Sequence, residues 1–179
     1  RDLPATMDEL IQSWDCSLKG AAQSVREGRA PDKTAGHVWG RWHVDCFLLD
    51  RVGDQMDLPA ATKAVYDLTQ RWPACGVKLI EGKANGPAIM ANLRDRVSGL
   101  VEVTPVGSKA QRVVDAASSR TAGDKDARAL SMQALWSGGN IWLPHPSIAP
   151  WVWDLVEQFV GFPLMAEDDD VDAASQGLA

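Results

Sequence analysis

Acidic residues stand where apolar strands are expected, and this feature most constrains the fold of the chain. Asp15 lies inside the apolar stretch Ile11–Leu18, and Glu81 ends the strand-like stretch Val77–Glu81. A further five acids lie within residues 167–172. A carboxylate within an apolar strand costs free energy unless its charge is compensated. Mg²⁺ is one such compensation, because it prefers carboxylate ligands together with phosphate oxygens. The pattern therefore suggests metal-assisted chemistry on a phosphodiester.

The composition is that of one packed globular domain. The chain has 179 residues, 45% hydrophobic content and 8 Trp, which is enough for a sizeable core. No apolar run reaches the roughly 20 residues that span a bilayer, and no secretion leader is visible. The first residue is Arg1, so we expect a fragment or a processed product. Cys16, Cys46 and Cys75 show no metal-motif spacing, which favours reduced, buried thiols in a cytosolic compartment.

Charge is segregated along the sequence. The net charge is −6, but without the five clustered acids 19 acids face 18 bases. Between Lys83 and Arg128 there are eight bases and five acids, and no Lys or Arg follows Arg128. A basic middle segment can contact phosphate while an acidic cluster holds metal. An ordinary solvated basic face would give the same pattern.

The hydrophobic patterning predicts a mixed α/β domain with no internal boundary. Strands are expected over Ile11–Leu18, His37–Arg41, Asp45–Leu49, Val77–Glu81, Leu100–Thr104 and Ile141–Leu143. Helices are expected from Pro59 to about Trp72, from Pro87 to about Val97, over much of Ser108–Ser137, from Pro150, and after the acidic cluster.

The segment Ile80–Gly86 carries the most specific local motif. An acid at a strand end is followed by Gly, Lys83 and Asn-Gly, so a carboxylate and an ammonium group stand beside exposed backbone N–H groups. Such a turn at a helix start can approach phosphate closely. An ordinary strand-to-helix turn with Asn85 as the helix N-cap is the alternative.

The other two acidic positions also have alternatives. Asp15 can cap a turn or pair with Lys19, and the acidic cluster can be a solvated tail. Against the tail, the spacing puts Asp172 one helical turn beyond Asp168 and Asp169, on the same helix face. The histidines give no clear signal: His37 and His43 have no distinguishing context, and His145 lies in a Pro-rich loop that favours a structural role.

Taken together, these segments resemble one family, the nuclease domain of the large terminase subunit of tailed bacteriophages. The resemblance covers nearly the whole chain in order. The motifs that carry it are Ser13–Ser17 with Lys19-Gly20, Val38–Arg41, Leu48–Asp50, Glu81–Gly86, Thr104–Lys109, Gly139–Pro146, Pro150–Val152 and Asp168–Ala173.

The resemblance implies an RNase H-like α/β fold, a mixed sheet flanked by helices, over residues 1–179 as a single domain. The family's first-strand Asp corresponds to Asp15, and its fourth-strand acid to Glu81. Its late-helix acids correspond to Asp168, Asp169 and Asp172. The family often has two adjacent acids at the second position, whereas here Gly82 follows Glu81, so one possible ligand is missing. The stretch Val113–Arg128 is longer than usual.

The resemblance further implies a metal-dependent endonuclease that cuts concatemeric phage DNA. Two Mg²⁺ or Mn²⁺ ions, roughly 3.5–4 Å apart, would be bound by three acids with help from a fourth. The residues expected to bind metal are Asp15, Glu81 and Asp169, assisted by Asp168 or Asp172. Lys83 would steady phosphate charge, while Lys109 and Arg112 would contact DNA.

The expected partners follow from the same resemblance. They are double-stranded DNA, an ATPase motor domain that this chain lacks, the portal and the small terminase subunit, in the host cytoplasm and without a membrane. Two alternatives remain open: a Holliday-junction resolvase or RNase H-type nuclease on the same fold, and a non-catalytic interaction module.

Overall fold

The computed structural model describes residues 2–16, 33–103, 132–162, 164 and 168–178. Within these ranges the chain forms a six-stranded mixed sheet with helices on both faces, which confirms the predicted α/β class. The strands are β1 (Glu9–Asp15), β2 (Thr34–Trp42), β3 (Asp45–Asp54), β4 (Val77–Glu81), β5 (Leu100–Val103) and β6 (Ile141–Trp142). The helices are α1 (Leu58–Arg71), α2 (Gly86–Leu93), α3 (Val152–Gly161) and α4 (Asp169–Leu178), and residues 132–137 are also helical. None of these helices is long and apolar enough to cross a membrane.

The strand order is β5-β4-β1-β2-β3-β6, so β1 lies inside the sheet. It pairs antiparallel with β2 and parallel with β4. The hairpin between β2 and β3 turns at His43, whose φ of 54° is left-handed. Both strands of this hairpin extend further than the sequence pattern predicted, and β1 ends at Asp15 rather than at residue 18, with residues 17 and 18 outside the described ranges.

Two apolar cores lie on opposite faces of the sheet. In the first, Trp14 and Ile80 pack with Val65 and Leu68 of α1 and with Ile89 of α2. The expected apolar face of α1 is confirmed, and the Asp57 side chain caps this helix by accepting a hydrogen bond of 2.9 Å from the Ala60 amide.

The second core holds α3 and α4 against the other face. Trp39 and Leu48 pack there with Leu155 of α3 and with Val171 and Ala174 of α4. Strand alternation explains the division, since Trp14 and the neighbouring Asp15 must point to opposite faces. The last helix is therefore a buried structural element as well as the carrier of the late acids.

The second helix is shorter than predicted. It ends at Leu93 rather than near Val97, because residues 94–96 form a turn in which the Arg96 and Val97 amides both donate to the Leu93 carbonyl at 2.9 Å. Much of the predicted helix over residues 108–137 lies outside the described ranges, and only its last residues, 132–137, are seen as helical.

The three cysteines are buried and free of disulfides, as predicted. Burial, followed by the charges of Asp15 and Glu81, raises the pKa of the Cys16 thiol to about 12. That thiol therefore stays protonated at neutral pH and packs as a small apolar group.

Gly36→Ala should destabilise the domain. A Cβ atom at Gly36 would lie only 2.3–2.6 Å from three ring carbons of the fully buried Trp14. Because the ring has no free space to move into, we expect a loss of about 1–3 kcal/mol in the free energy of unfolding, measured by urea denaturation. Gly76→Ala is the matched control, since a Cβ there meets nothing within 4 Å. Equal stability of the two variants would contradict the packing argument.

Candidate functional site

Asp15 and Glu81 lie side by side at the carboxyl ends of two neighbouring inner strands of the sheet. Strands β1 and β4 run parallel, and Trp14 is paired with Ile80. Asp15 and Glu81 are the next residues along the chain, and each is the last residue of its strand. The parallel register brings their side chains close together. Two acids separated by more than 60 positions in the sequence are thus neighbours, as the resemblance predicted for the first and second acidic positions.

Helix α4 brings two further acids towards Asp15. Asp15 keeps some exposure as a residue, but its carboxyl group is enclosed. Burial raises the pKa of Asp15 well above its usual value, and the neighbouring Glu81, Asp172 and Asp169 raise it further. The carboxylates from β1, β4 and α4 therefore form one electrostatically coupled group with an excess of negative charge.

Asp168 lies just before α4 and is half-buried. Its backbone carbonyl accepts a hydrogen bond of 2.9 Å from the Asp172 amide, which closes the first helical turn. The side chain of Asp169 accepts a hydrogen bond of 3.3 Å from the Lys33 amide, so it also contacts the start of β2. The late acids are thus held at the helix N-terminus, where negative charge is favourable.

The turn after β4 presents a lysine to this group. The Nζ atom of Lys83 lies 3.5 Å from Oε1 of Glu81, and the lysine side chain is 58% exposed. Gly86 permits the tight return of the chain, because a Cβ there would lie 1.9 Å from the Glu81 carbonyl oxygen. Asn85 occupies the N-cap position of α2 but makes no side-chain capping hydrogen bond, so the simple capping alternative is not supported.

The donor set of the coupled group suits a hard divalent cation. Four carboxylates supply only oxygen atoms, the ligands that Mg²⁺ and Mn²⁺ prefer, and Asp15 is enclosed where uncompensated charge is costly. In the described part of the chain, however, no three metal-binding side chains already stand together at coordinating distance. The residues therefore fit a divalent cation by chemistry and proximity, without being arranged around one point.

A second polar cluster was missed in the sequence. Asp170 is 1% exposed and its carboxylate accepts hydrogen bonds from His37 Nε2 at 2.8 Å, from Arg51 Nε at 2.8 Å and Nη2 at 2.5 Å, and from Gln158 Nε2 at 2.8 Å. The Asp170 amide in turn donates to the Gln158 side-chain oxygen at 3.1 Å. We call these four residues the Asp170 cluster.

The Asp170 cluster holds a carboxylate in the charged state. Burial alone would raise the pKa of Asp170, but the hydrogen bonds and charges of Arg51 and His37 outweigh it and hold the pKa well below its usual range. One signal for this cluster was present in the sequence: strand alternation puts His37 on the same inward face as Trp39. Within the acidic run itself, nothing distinguishes Asp170 from its neighbours.

Some residues considered in the sequence fall outside the described residues, and one makes local contacts in its own loop. Lys109 and Arg112, expected to contact DNA, fall outside the described residues, as do Lys19 and the stretch Val113–Arg128. His145 is exposed, and its Nδ1 lies 2.8 Å from the Ser147 hydroxyl, which is consistent with a structural role in its loop.

The sequence matches the family described as the terminase RNaseH-like domain over residues 12–179. The chain belongs to this family. No curated protein matches it in sequence.

Solved structures show the same fold. The large terminase of a thermophilic bacteriophage is similar with a TM-score of 0.64 at 9% identity, over 98% of this chain and 40% of that one. The nuclease domain of the large terminase from bacteriophage SPP1, solved with bound Mn, gives a TM-score of 0.59 at 14% identity, over 96% of this chain and 86% of that one. The yeast mitochondrial Holliday junction resolvase gives 0.55 at 11% identity, over 98% and 80%.

These similarities confirm the predicted RNase H-like fold. The terminase domain described here spans about two-fifths of the length of the thermophilic phage protein. At 9–14% identity the structural matches establish the fold, and the chemistry must be argued from the residues of this chain.

Asp15→Asn should not destabilise the domain in the absence of metal. The substitution keeps the size of the side chain and replaces a carboxyl group whose charged form is disfavoured by burial and by the neighbouring Glu81, Asp172 and Asp169. We expect a melting temperature in EDTA equal to or above that of the wild type. A clear decrease would mean that the Asp15 carboxylate makes a stabilising interaction in the native state, contrary to the repulsion described above.

Proposed function

We propose that this terminase domain is a metal-dependent DNA endonuclease that cuts concatemeric viral DNA during genome packaging. The observation that carries the proposal is the convergence of carboxylates from β1, β4 and α4 on the enclosed Asp15. The bound Mn in the similar SPP1 nuclease domain supports the choice of cation.

In this proposal Asp15, Glu81 and Asp169 hold Mg²⁺ or Mn²⁺, with Asp168 or Asp172 assisting. Two ions bound there would supply charge that generates a hydroxide nucleophile and stabilises the leaving 3′-oxygen. Gly82 leaves Glu81 as the single acid at the end of β4, so the helix acids would provide the remaining carboxylate ligands.

Lys83 would act on the substrate rather than on the metal. Its exposed ammonium group lies beside Glu81 and can turn towards a phosphate, where it would offset developing negative charge. Lys109 and Arg112 remain candidates for contacts along the DNA backbone. Contacts of this kind carry no sequence information, so weak sequence preference is expected.

The wider setting is also part of the proposal. Residues 1–179 would form one nuclease domain of a longer large terminase subunit that also has an ATPase motor domain. The portal, the small terminase subunit and double-stranded DNA would be its partners in the host cytoplasm. The similarity to the large terminase of the thermophilic bacteriophage, of which this chain covers 40%, supports this arrangement.

A Holliday-junction resolvase is the second candidate function. The structural similarity to the yeast mitochondrial resolvase favours it over other enzymes on this fold. The two candidates differ in substrate, because a resolvase would prefer a four-way junction to plain duplex DNA. Competition between the two substrates therefore distinguishes them.

Cleavage of supercoiled plasmid by the purified domain tests the main proposal. We expect nicking and cutting with Mg²⁺ or Mn²⁺ and none with EDTA. Asp15→Asn should lower the rate by several orders of magnitude, because no other group can replace a carboxylate ligand at that position. The control is Asp67→Asn, which removes an exposed carboxylate that is paired with Lys63 on α1. Helix α1 packs on the face of the sheet opposite to that of α4. Near-normal cutting by Asp15→Asn would remove the assignment.

Metal should also stabilise the native domain. A cation that binds only the folded state raises the free energy of unfolding by mass action, by about 2.7 kcal/mol at a concentration a hundredfold above Kd. We expect a higher melting temperature in millimolar Mn²⁺ for the wild type and for Asp67→Asn, but not for Asp169→Asn. An equal increase in all three proteins would place the bound cation elsewhere.

A further inference from the structure

We infer that the Asp170 cluster is a positioning device that sets the orientation of α4, so that Asp169 and Asp172 face Asp15. The inference rests on the proposed function, because it concerns the same cation site. It assigns positioning roles to His37, Arg51, Gln158 and Asp170 that are separate from metal binding.

The geometry of α4 separates the two tasks. Successive residues of an α-helix are rotated by about 100°, so Asp169 and Asp172 share one face and Asp170 points away from it. The carboxylates of Asp169 and Asp172 act on Asp15, whereas that of Asp170 is enclosed by the second cluster. Asp169 and Asp172 therefore point in one direction from the first turn of α4, and Asp170 points in another.

The contacts of Asp170 restrict rotation of the helix. His37 and Arg51 are directly paired across β2 and β3, so they approach the carboxylate from a rigid part of the sheet. Arg51 binds both carboxylate oxygens, and Gln158 binds the Asp170 side chain and amide from α3. Rotation of α4 would break these bonds and leave a buried charge without partners, which is strongly unfavourable.

The other end of α4 is held on β1 and β2. The Gln176 side chain donates a hydrogen bond of 3.1 Å to the Ser13 hydroxyl, and Gly177 packs so closely on Trp39 that a Cβ there would lie 2.8 Å from the indole. With both ends fixed, the direction in which Asp169 and Asp172 point is determined by the sheet. The precision of the cation site thus depends on residues that need not contact the cation.

Two substitutions test this, and they separate geometry from charge. Asp170→Asn removes the anion, whereas Arg51→Lys keeps the charge of the cluster but loses the two-pronged contact of the guanidinium group. We expect both to raise the Kd for Mn²⁺ by about tenfold, as for residues that orient metal ligands. Free Mn²⁺ would be measured by electron paramagnetic resonance well below the melting temperature of each variant. Half-maximal cleavage should shift to higher Mn²⁺ concentration, with smaller effects on kcat at saturation.

The matched controls concern Asp50, which is next to Arg51 on β3 and points to the other face of the sheet. Asp50 forms an ion pair with Arg71, with 3.1 Å between Oδ2 and Nη1, and accepts a hydrogen bond of 2.8 Å from the Trp72 indole. Asp50→Asn and Arg71→Lys should lower stability without changing Mn²⁺ affinity. If Asp170→Asn does not fold, Arg51→Lys and Gln158→Met, which deletes only the amide contacts to Asp170, decide the question.

The outcomes distinguish this inference from the proposed function. Weaker Mn²⁺ binding in the cluster variants alone supports it. Wild-type affinity in those variants, or an equal loss in the two controls, overturns the positioning role while leaving the nuclease assignment intact. Absence of Mn²⁺ binding by the wild type would overturn the proposed function, and the positioning role with it.

Discussion

The arrangement of the second core depends on the hydrogen bonds and the ion pair that the buried carboxylate of Asp170 makes. A charge removed from water is tolerated only when hydrogen bonds and opposite charge replace the lost hydration, and here Arg51, His37 and Gln158 do so. These partners come from β2, β3 and α3, so satisfying one carboxylate joins two strands and two helices. The packing of residues 170–176, all buried, follows from that constraint.

The enclosed acids Asp170 and Asp15 have surroundings with opposite effects. Although burial acts to raise the pKa of Asp170, the hydrogen bonds and charges of Arg51 and His37 lower it. Burial and the neighbouring carboxylates both raise the pKa of Asp15. The protein itself supplies the opposite charge and the hydrogen-bond donors that the Asp170 carboxylate needs. Around Asp15 positive charge is lacking, and a divalent cation would provide it. In the proposed nuclease, this contrast distinguishes Asp170, whose carboxylate is paired within the fold, from Asp15, which would bind the cation, although burial alone would not distinguish them.

The sequence allowed the sheet and the first acidic pair to be predicted, but not the Asp170 cluster. Strand β4 was predicted to the residue, because five residues between turn signals leave little choice. The association of Asp15 with Glu81 was implied by the family resemblance, since the strand pattern placed Asp15 inside a strand that continued to Leu18. The bonds of Asp170 to His37 and Arg51 join residues 133 and 119 positions apart. A local sequence pattern cannot predict a contact between residues so far apart in the chain. Within a run of acids, the sequence gives no sign of which carboxylate is buried.

The charge balance at the end of β4 links cation binding to substrate binding in the proposed nuclease. The coupled carboxylates of β1, β4 and α4 outnumber the nearby positive charge, and Lys83 already lies 3.5 Å from Glu81. A DNA phosphate approaching this group would meet net negative charge, and at a few ångströms that repulsion is substantial in a partly enclosed site. Cations bound to the carboxylates would reverse the sign of the local field and release Lys83 from Glu81. Metal would therefore have to bind before the scissile phosphate, or together with it.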